Sequence, residues 1–343
     1  MSLRLTPAPV ANRALTALAD GDPVVLVDEQ ARAGFLVAAA ETTTTAGIAF
    51  LVRHSSGLLC VALPAAECDR LRLPPMSAAG HPPAEFAACV TVDAATGITT
   101  GISAHDRART VALLADPAAS ESDFHRPGHV IPVRRTAGGV LRHRGAAEAA
   151  ADLTEAAGRR PAAVFAALVG LGRPTDLAGP AELAAFAEAH SLATVSIGDV
   201  LAHRLSRDAL VTRRTTTWSS PHAIEYAGAF DGAEHLALVT GTPAGADDVP
   251  VYVHHECRTA DVSGRLRCAC HRRLDTALTA ITAEGCGIVV YLKRAAHPAE
   301  DQLLSSIAAN IVQDLGVRSV RLLAGQEPHG TAFRLRGVPT RPA

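Results

Sequence analysis

The sequence predicts an α/β protein of two domains. The chain has 343 residues, long for a single hydrophobic core. Through its first part, short apolar runs alternate with segments of helical period, the pattern of strands and helices packed in layers. The alternation breaks between Leu201 and Thr217, where Arg204, Arg207, Arg213 and Arg214 lead into Thr215-Thr216-Thr217. That stretch reads as a linker and the first edge of a second domain, giving domains of residues 1–205 and 206–343.

Arg13 to Ala19 has helical spacing and stops at Gly21. Pro23 to Val27 is a short apolar strand, and the polar loop Asp28 to Gly34 leads into Phe35-Leu36-Val37. The Thr42 to Thr45 run supplies a cap for a helix with Ile48, Leu51 and Val52 on one face. Leu58 to Leu63 is a strand, and Glu85 to Val92 is expected to be another. Ser103 caps a helix through Asp106, Arg107 and Thr110, and Val130 to Val133 is extended. Gly145 to Ala157 and Ala181 to His190 read as helices; Ala162 to Leu168 and Ala193 to Ile197 read as strands. In the second domain, strands near Ala223–Phe230, His235–Thr240 and Val249–Val253 suggest a mainly antiparallel start. A helix carrying Leu274, Leu278 and Ile281 ends at Gly285, and Ile288 to Leu292 is a strand. A helix carrying Leu304, Ile307, Ile311 and Leu315 ends at Gly316, and Val320 to Leu323 is a strand. From Ala324 the chain is rich in Gly, Pro and His and shows little periodicity.

Chemistry concentrates between His254 and His271. Three of the seven cysteines, Cys257, Cys268 and Cys270, fall there with spacing C-x10-C-x-C. Alternate residues of an extended chain point the same way, so Cys268 and Cys270 share a side. Asp261-Val262-Ser263-Gly264 reads as a turn that returns Cys257 to them. Three thiolates suit Zn²⁺, and three protein ligands leave a fourth position for water. Glu256, His254 and His255 are neighbouring candidates for proton transfer or for ligation. The alternative is three unrelated buried thiols.

Composition narrows the classes. The chain is 48% hydrophobic and 19% charged, with formal net charge −2, the balance of a globular protein. No basic excess points to nucleic acid, and no apolar run approaches membrane-spanning length. An odd number of cysteines and a start without an apolar core lead us to expect a reducing, cytoplasmic setting. Lys293 is the only lysine, which excludes lysine chemistry elsewhere.

Several segments together resemble the bifunctional riboflavin-pathway proteins, which join 3,4-dihydroxy-2-butanone-4-phosphate synthase to GTP cyclohydrolase II. In the first half these are Arg53 to Cys60, Leu73 to Met76, Asp93 to Arg107, Arg126 to Pro132 and Gly138 to Leu141. In the second they are Glu234 to Val239, Val249 to Val251, His254 to Cys270 and Asp314 to Leu323. The resemblance covers nearly the whole chain in one order. It implies two α/β domains, one like each enzyme, and a homodimer. It implies a small phosphate or nucleotide ligand, while the composition above points to no nucleic-acid or membrane partner. It assigns zinc to Cys257, Cys268 and Cys270 and a catalytic role to Glu256. It also assigns sugar or phosphate binding to Thr99, Thr100, Asp106, Arg107, Arg126 and His129. Without the resemblance, Asp106 and Arg107 read as a helix-end pair and Arg126 as a loop anchor.

Departures from the family pattern fall on its chemistry. The synthase carries an acidic loop, Asp-Arg-Glu-Asn-Glu-Gly-Asp, and Mg²⁺ needs such oxygen ligands. Here the corresponding loop is Gln30-Ala31-Arg32-Ala33-Gly34-Phe35, one residue shorter and without a carboxylate, with Asp28 and Glu29 just upstream and Glu41 downstream. The His of the family's Gly-His-Thr-Glu-Ala motif is Ala146, and a later catalytic Glu is Ala167. Mg²⁺ is therefore not expected. In the second half, the insert that follows the zinc motif in GTP cyclohydrolase II has no counterpart after Arg294, and an expected arginine is Tyr252. The Thr-Asn-Asn-Pro segment is replaced by Ala324 to Pro328. The expectation is a divergent member that keeps zinc, has lost or changed both ancestral activities, and acts on another nucleotide or sugar phosphate. The alternative is a non-catalytic relative that binds a pathway metabolite or an active paralogue.

Overall fold

The structure is a computed structural model that describes residues 8–77, 87–170, 172, 175–214, 222–230, 232–257, 269–293 and 301–342. The chain divides into two compact units, Met1–His203 and Arg204–Ala343.

The first unit contains α1 (Ala8–Asp20), β1 (Val24–Asp28), β2 (Ala33–Ala39), α2 (Thr45–His54), β3 (Cys60–Pro64), α3 (Ala65–Arg70) and β4 (Val92–Ala94). It continues with α4 (Ala104–Leu114), β5 (Phe124–Arg135), α5 (Ala146–Ala156), β6 (Ala163–Ala167), α6 (Pro180–Ala189) and β7 (Thr194–Ser196). The sheet order is β4-β5-β3-β6-β2-β1-β7. It is mixed: β3/β5 and β1/β7 are parallel, and the other pairs are antiparallel. The central strands are buried nearly without a break, as strands covered on both faces must be. Val25, Leu36, Val61 and Val164 meet Ile48, Leu51, Val111 and Leu114 in one core. Thr44 caps α2 by accepting from Gly47 N, and Ser103 caps α4 by accepting from Asp106 N.

Three sequence expectations for this region change. Asp28 to Gly34 is not one loop, because Ala33 and Gly34 already pair with β1. The strand expected over Glu85–Val92 is Val92–Ala94 instead; Ala88 and Cys89 make only isolated bridges, and Glu85 lies outside the described residues. The backbone there bonds both to the Pro74–Met76 segment and to β5, with Cys89 N donating to Pro132 O and Arg134 N to Ala87 O. Leu201 to Arg207 is not a linker but the end of helix α7 (Ile197–Arg207), which runs across the division between the units. Its Val200, Leu201, Ala202 and Leu205 are buried, and Arg204 bonds Asp208.

The second unit continues with β8 (Val211–Arg213), β9 (His222–Gly228), β10 (Glu234–Thr240), β11 (Val249–His255), α8 (Ala269–Glu284) and β12 (Gly287–Leu292). Then come α9 (Asp301–Asp314), β13 (Val320–Leu322), α10 (Gly330–Leu335) and β14 (Thr340–Pro342). Its sheet order is β14-β13-β11-β12-β10-β9-β8. The β8-β9-β10-β12 side is antiparallel, and β12-β11-β13-β14 is parallel. β10 alternates buried and half-buried residues, so one face carries the core. On the α8 face, Tyr252 and Val289 pack against Ala277 and Ile281. The patternless tail from Ala324 forms α10 and β14. It is held by buried Arg336, which donates to the carbonyls of Leu205 and Asp208 at the end of α7. Among the described residues, no helix is long and apolar enough to cross a membrane.

Candidate functional site

In the first unit, the turn between β4 and α4 gathers most of the retained polar residues. Asp106 sits in the first turn of α4 and is buried. Its Oδ2 accepts from Thr99 Oγ1 at 2.8 Å and from Gly101 N at 3.1 Å, while Oδ1 is buried without a partner. Burial alone would raise its pKa, but hydrogen bonds from Thr99, Ser103 and Gly101 hold the carboxyl below its usual value. Gly101 has φ +88°, and a Cβ there would lie 2.2 Å from Asp93 Oδ2 and 2.7 Å from His129 Nδ1. Only glycine permits this approach. Asp93 in turn holds His129 twice, at the backbone N (2.9 Å) and at Nδ1 (2.7 Å).

Arg107 is buried and donates from Nη1 to Gly57 O at 3.0 Å, and its Nε has no partner. Burial lowers its pKa, and Asp93 opposes that. Asp106 and Arg107 are thus not bonded to each other; each reaches a different segment. Arg126 is turned to the backbone, donating to Leu71 O at 2.8 Å and more loosely to Glu121 O and Phe124 O. Thr100 is exposed on the same turn as Thr99. The structure therefore brings Thr99, Asp106 and His129 together around Gly101, with Arg107 close to Asp93. Asp93 was not singled out by the sequence. Its only signal was its place at the start of the Asp93–Arg107 segment.

The positions to which the resemblance assigns the family's acidic loop, its later Glu and its His lie elsewhere in the same unit. Phe35 on β2 pairs directly with Ala167 on β6, and its ring packs edge-on against Phe165, 6.0 Å away. Ala146 opens α5. Nearby carboxylates are engaged. Asp28 accepts from the amides of Gln30 and Ala31, Glu29 from Gly198 N, and Glu41 faces Arg159 and Arg160. On α5, Glu148 accepts from Thr136 N and contacts His143 Nδ1 at 3.0 Å. Asp152 accepts from Val140 N and pairs with Arg135 at 2.6 Å.

In the second unit, the candidate site lies beyond the C-terminal ends of the paired parallel strands β11 and β12, where α/β sheets place ligands. Glu256 N donates to Leu292 O, carrying the chain just past β11 to Cys257. Cys270 is in the first turn of α8 and close enough to Tyr252 to influence its phenol. Burial raises that phenol's pKa, Arg273 opposes the shift and Cys270 adds to it. Cys268 and the turn expected at Asp261–Gly264 lie outside the described residues, as do Arg294 and Glu300. Among the described residues, no group of three His, Cys, Asp or Glu side chains has metal-holding geometry. His254 is buried with its ring between Tyr252 and Tyr291. His271 is exposed and faces Asp275. Lys293 pairs with Glu234, and Arg321 is held by Glu284 and Asp248.

The fold adds three residues to this end that the sequence did not single out. Val253 N donates to Gln326 Oε1 at 2.8 Å. Ser305 Oγ donates to Asp301 O at 2.7 Å and lies 2.7 Å from His329 Nδ1. A hydroxyl has one proton, so Nδ1 of His329 is the donor to Ser305 and Nε2 carries the lone pair. The His329 ring is 5.5 Å from that of His255. Burial, then His255, pull the His329 pKa down to about 4 against the opposing pull of Asp301, so its imidazole is neutral near pH 7. Ser305 and His329 belong to different elements, and no spacing rule links them.

A family model of 3,4-dihydroxy-2-butanone 4-phosphate synthase matches residues 12–203, more than half the chain. The chain belongs to the riboflavin-biosynthesis family. A model of GTP cyclohydrolase II matches residues 207–305. The riboflavin biosynthesis protein RibBA of Nocardia farcinica is 41% identical over 91% of this chain and 84% of its own. That of Salinispora tropica is 40% identical over 93% and 90%. Among solved structures, RibBX of A. baumannii is described as a two-domain 3,4-dihydroxy-2-butanone 4-phosphate synthase. It covers 96% of this chain and 99% of its own, with TM-score 0.73 and 28% identity. A 3,4-dihydroxy-2-butanone 4-phosphate synthase solved with two magnesium ions covers 55% of this chain at 40% identity and TM-score 0.52. This member of the riboflavin-biosynthesis family thus matches both domain models on one chain, and one structure similar to its first domain was solved with two magnesium ions.

Proposed function

We propose that this protein is a divergent riboflavin-family member, with domains of residues 1–205 and 206–343, that binds a sugar phosphate in its first domain and zinc in its second. Thr99, Thr100, Asp106, Arg107 and His129 would receive the sugar phosphate, and Arg126 would hold the neighbouring loop. Cys257, Cys268 and Cys270 would hold the zinc. Cys257 and Cys270 are described, and the chemistry of a thiolate set suits that ion. When bound, zinc supplies an activated water. Glu256, next to Cys257, would hold or pass the proton. Among the described residues, the positions matched to the family's acidic synthase set carry no carboxylate, and we expect no Mg²⁺-dependent cleavage of ribulose 5-phosphate.

One observation carries the reading of the first domain. Phe35 faces Ala167 across a strand pair, so two positions where the family carries acids are neighbours here and both lack oxygen ligands. The same observation favours a second reading, a non-catalytic protein that binds a pathway metabolite or pairs with an active relative. The deciding experiment measures metal content of the purified chain and its Cys257→Ser variant, with turnover of GTP. Zinc near one per chain, lost in the variant, supports the second-domain site. Zinc with GTP ring opening would mean that the missing insert is not needed. Absence of zinc would leave the metabolite-binding reading. The protein is expected to be a cytoplasmic homodimer, which sedimentation of the full chain tests.

A further inference from the structure

We propose that His255 and His329 form a two-imidazole site for a nitrogen-preferring divalent ion, separate from the cysteine set of the second domain.

The fold builds this site from three segments. His255 ends β11, His329 stands in the short turn Glu327–His329 before α10, and Ser305 lies in α9. The two imidazole rings have centres 5.5 Å apart and planes at 63°, so they meet without stacking. Both residues are half-buried, and each keeps part of its surface open to an ion arriving from solvent.

The ring of His329 is prepared as a ligand. Ser305 gives its one proton to Asp301 O at 2.7 Å, so Nδ1 of His329, 2.7 Å from Ser305 Oγ, carries the ring proton. The Nε2 lone pair is left for an ion. A histidine that binds a metal almost always has its other nitrogen held in this way, which fixes tautomer and ring plane together. The spacing fits as well. A Zn²⁺ bound about 2.0–2.1 Å from an imidazole nitrogen lies about 3.2 Å from the ring centre, and two such rings on a tetrahedral ion have centres about 5.2 Å apart. The observed separation is close to that.

His54 and His190 are another pair of neighbouring imidazoles and show the difference. Their centres are 4.7 Å apart, and both rings pack on Phe50 and Phe186. Among the described residues no hydrogen bond orients either ring. At His255 and His329, no Cys, Asp or Glu among the described residues joins the rings in a metal-holding group, Cys257 included, so water fills the remaining positions. Imidazole suits Zn²⁺, Cu²⁺ or Ni²⁺, whereas Mg²⁺ and Ca²⁺ take oxygen ligands. An ion held here would tie the end of β11 to the segment before α10, and through Ser305 to α9.

The test titrates Zn²⁺ into the full-length Cys257→Ser variant, which lacks one thiolate of the cysteine set and keeps both histidines. Calorimetry should show one bound Zn²⁺ per chain, and the melting temperature should rise. In that background Ser305→Ala should weaken binding about tenfold, His329→Gln should abolish it, and His54→Gln should leave it unchanged. In the wild-type chain, nitrogen NMR should show the Nε2 resonance of His329 and one ring nitrogen of His255 shifting together as Zn²⁺ is added, while Nδ1 of His329 keeps its proton. This readout does not depend on any variant folding. An unshifted His329 Nε2 at saturating Zn²⁺, or equal affinity with and without His329, would overturn the proposal. The zinc lost between the wild-type chain and Cys257→Ser reports on the cysteine set alone, so either site can fail without the other.

Discussion

The two halves of the first domain's polar equipment differ in what became of them. Around the β4–α4 turn, Asp93, Thr99, Asp106 and His129 keep their partners. Across β2 and β6, Phe35 and Ala167 face each other with no polar atom between their side chains. The difference lies in what each residue supports. Asp106 satisfies a loop amide and sits at a helix start, and Asp93 fixes the backbone of β5; losing either leaves the fold incomplete. A carboxylate at position 35 or 167 would project from a strand whose own ladder is complete without it. Residues needed by both chemistry and fold are retained, and those needed only by chemistry are free to change. Survival of Thr99, Asp106 and His129 is therefore evidence first of architecture and only then of ligand binding.

That contrast can be broken by substitution. Gly101→Ala should have the largest effect. It demands a left-handed backbone from a residue with a Cβ and drives that Cβ into Asp93. A loss of about 3 kcal/mol is expected, read as the denaturant midpoint. A near-neutral result would mean that the Asp93–His129 pair is loosely held. Next is the acid limb of the second domain. His129 is exposed, whereas His329 is half-buried and its folded pKa lies below the unfolded value. The unfolded state then binds more protons between about pH 6.5 and 4, so stability is full above that window and falls as pH drops through it. A loss on the order of 1–3 kcal/mol is expected, and His329→Gln should flatten the acid limb.

Smaller effects sharpen the comparison. Phe35→Ala, on the β2–β6 side, removes a half-buried ring and its contact with Phe165. About 1–2 kcal/mol is expected, visible as a lower melting temperature with no change in metal content. Thr44→Ala removes the α2 cap and should cost about 1 kcal/mol. If Phe35→Ala proves more damaging than Gly101→Ala, the division between architectural and dispensable residues is wrong.

Much of this architecture was legible because its signals are local. Thr44 and Ser103 cap helices where the sequence placed caps, and the apolar runs at Leu36, Val61 and Val164 became central strands. The end of α7 was obscured by Arg204 and Arg207, which suggest a linker until Val200, Leu201 and Leu205 are seen buried beneath them. The tail was unreadable because α10 and β14 are too short for a period to emerge. At the sites, the Thr99–Arg107 segment could be read from contiguous residues. Ser305 and His329 meet only through the packing of α9 against the tail, and Phe35 opposite Ala167 depends on strand register.

The central claim is that this chain keeps the fold of the synthase without its acid set. The most direct measurement is formate release from ribulose 5-phosphate by the full chain in saturating Mg²⁺. The account predicts none above that of an Asp106→Asn, His129→Ala double variant. Turnover abolished by that variant and by chelation of Mg²⁺ would contradict it, and would place metal-binding carboxylates where the β2–β6 pair offers none.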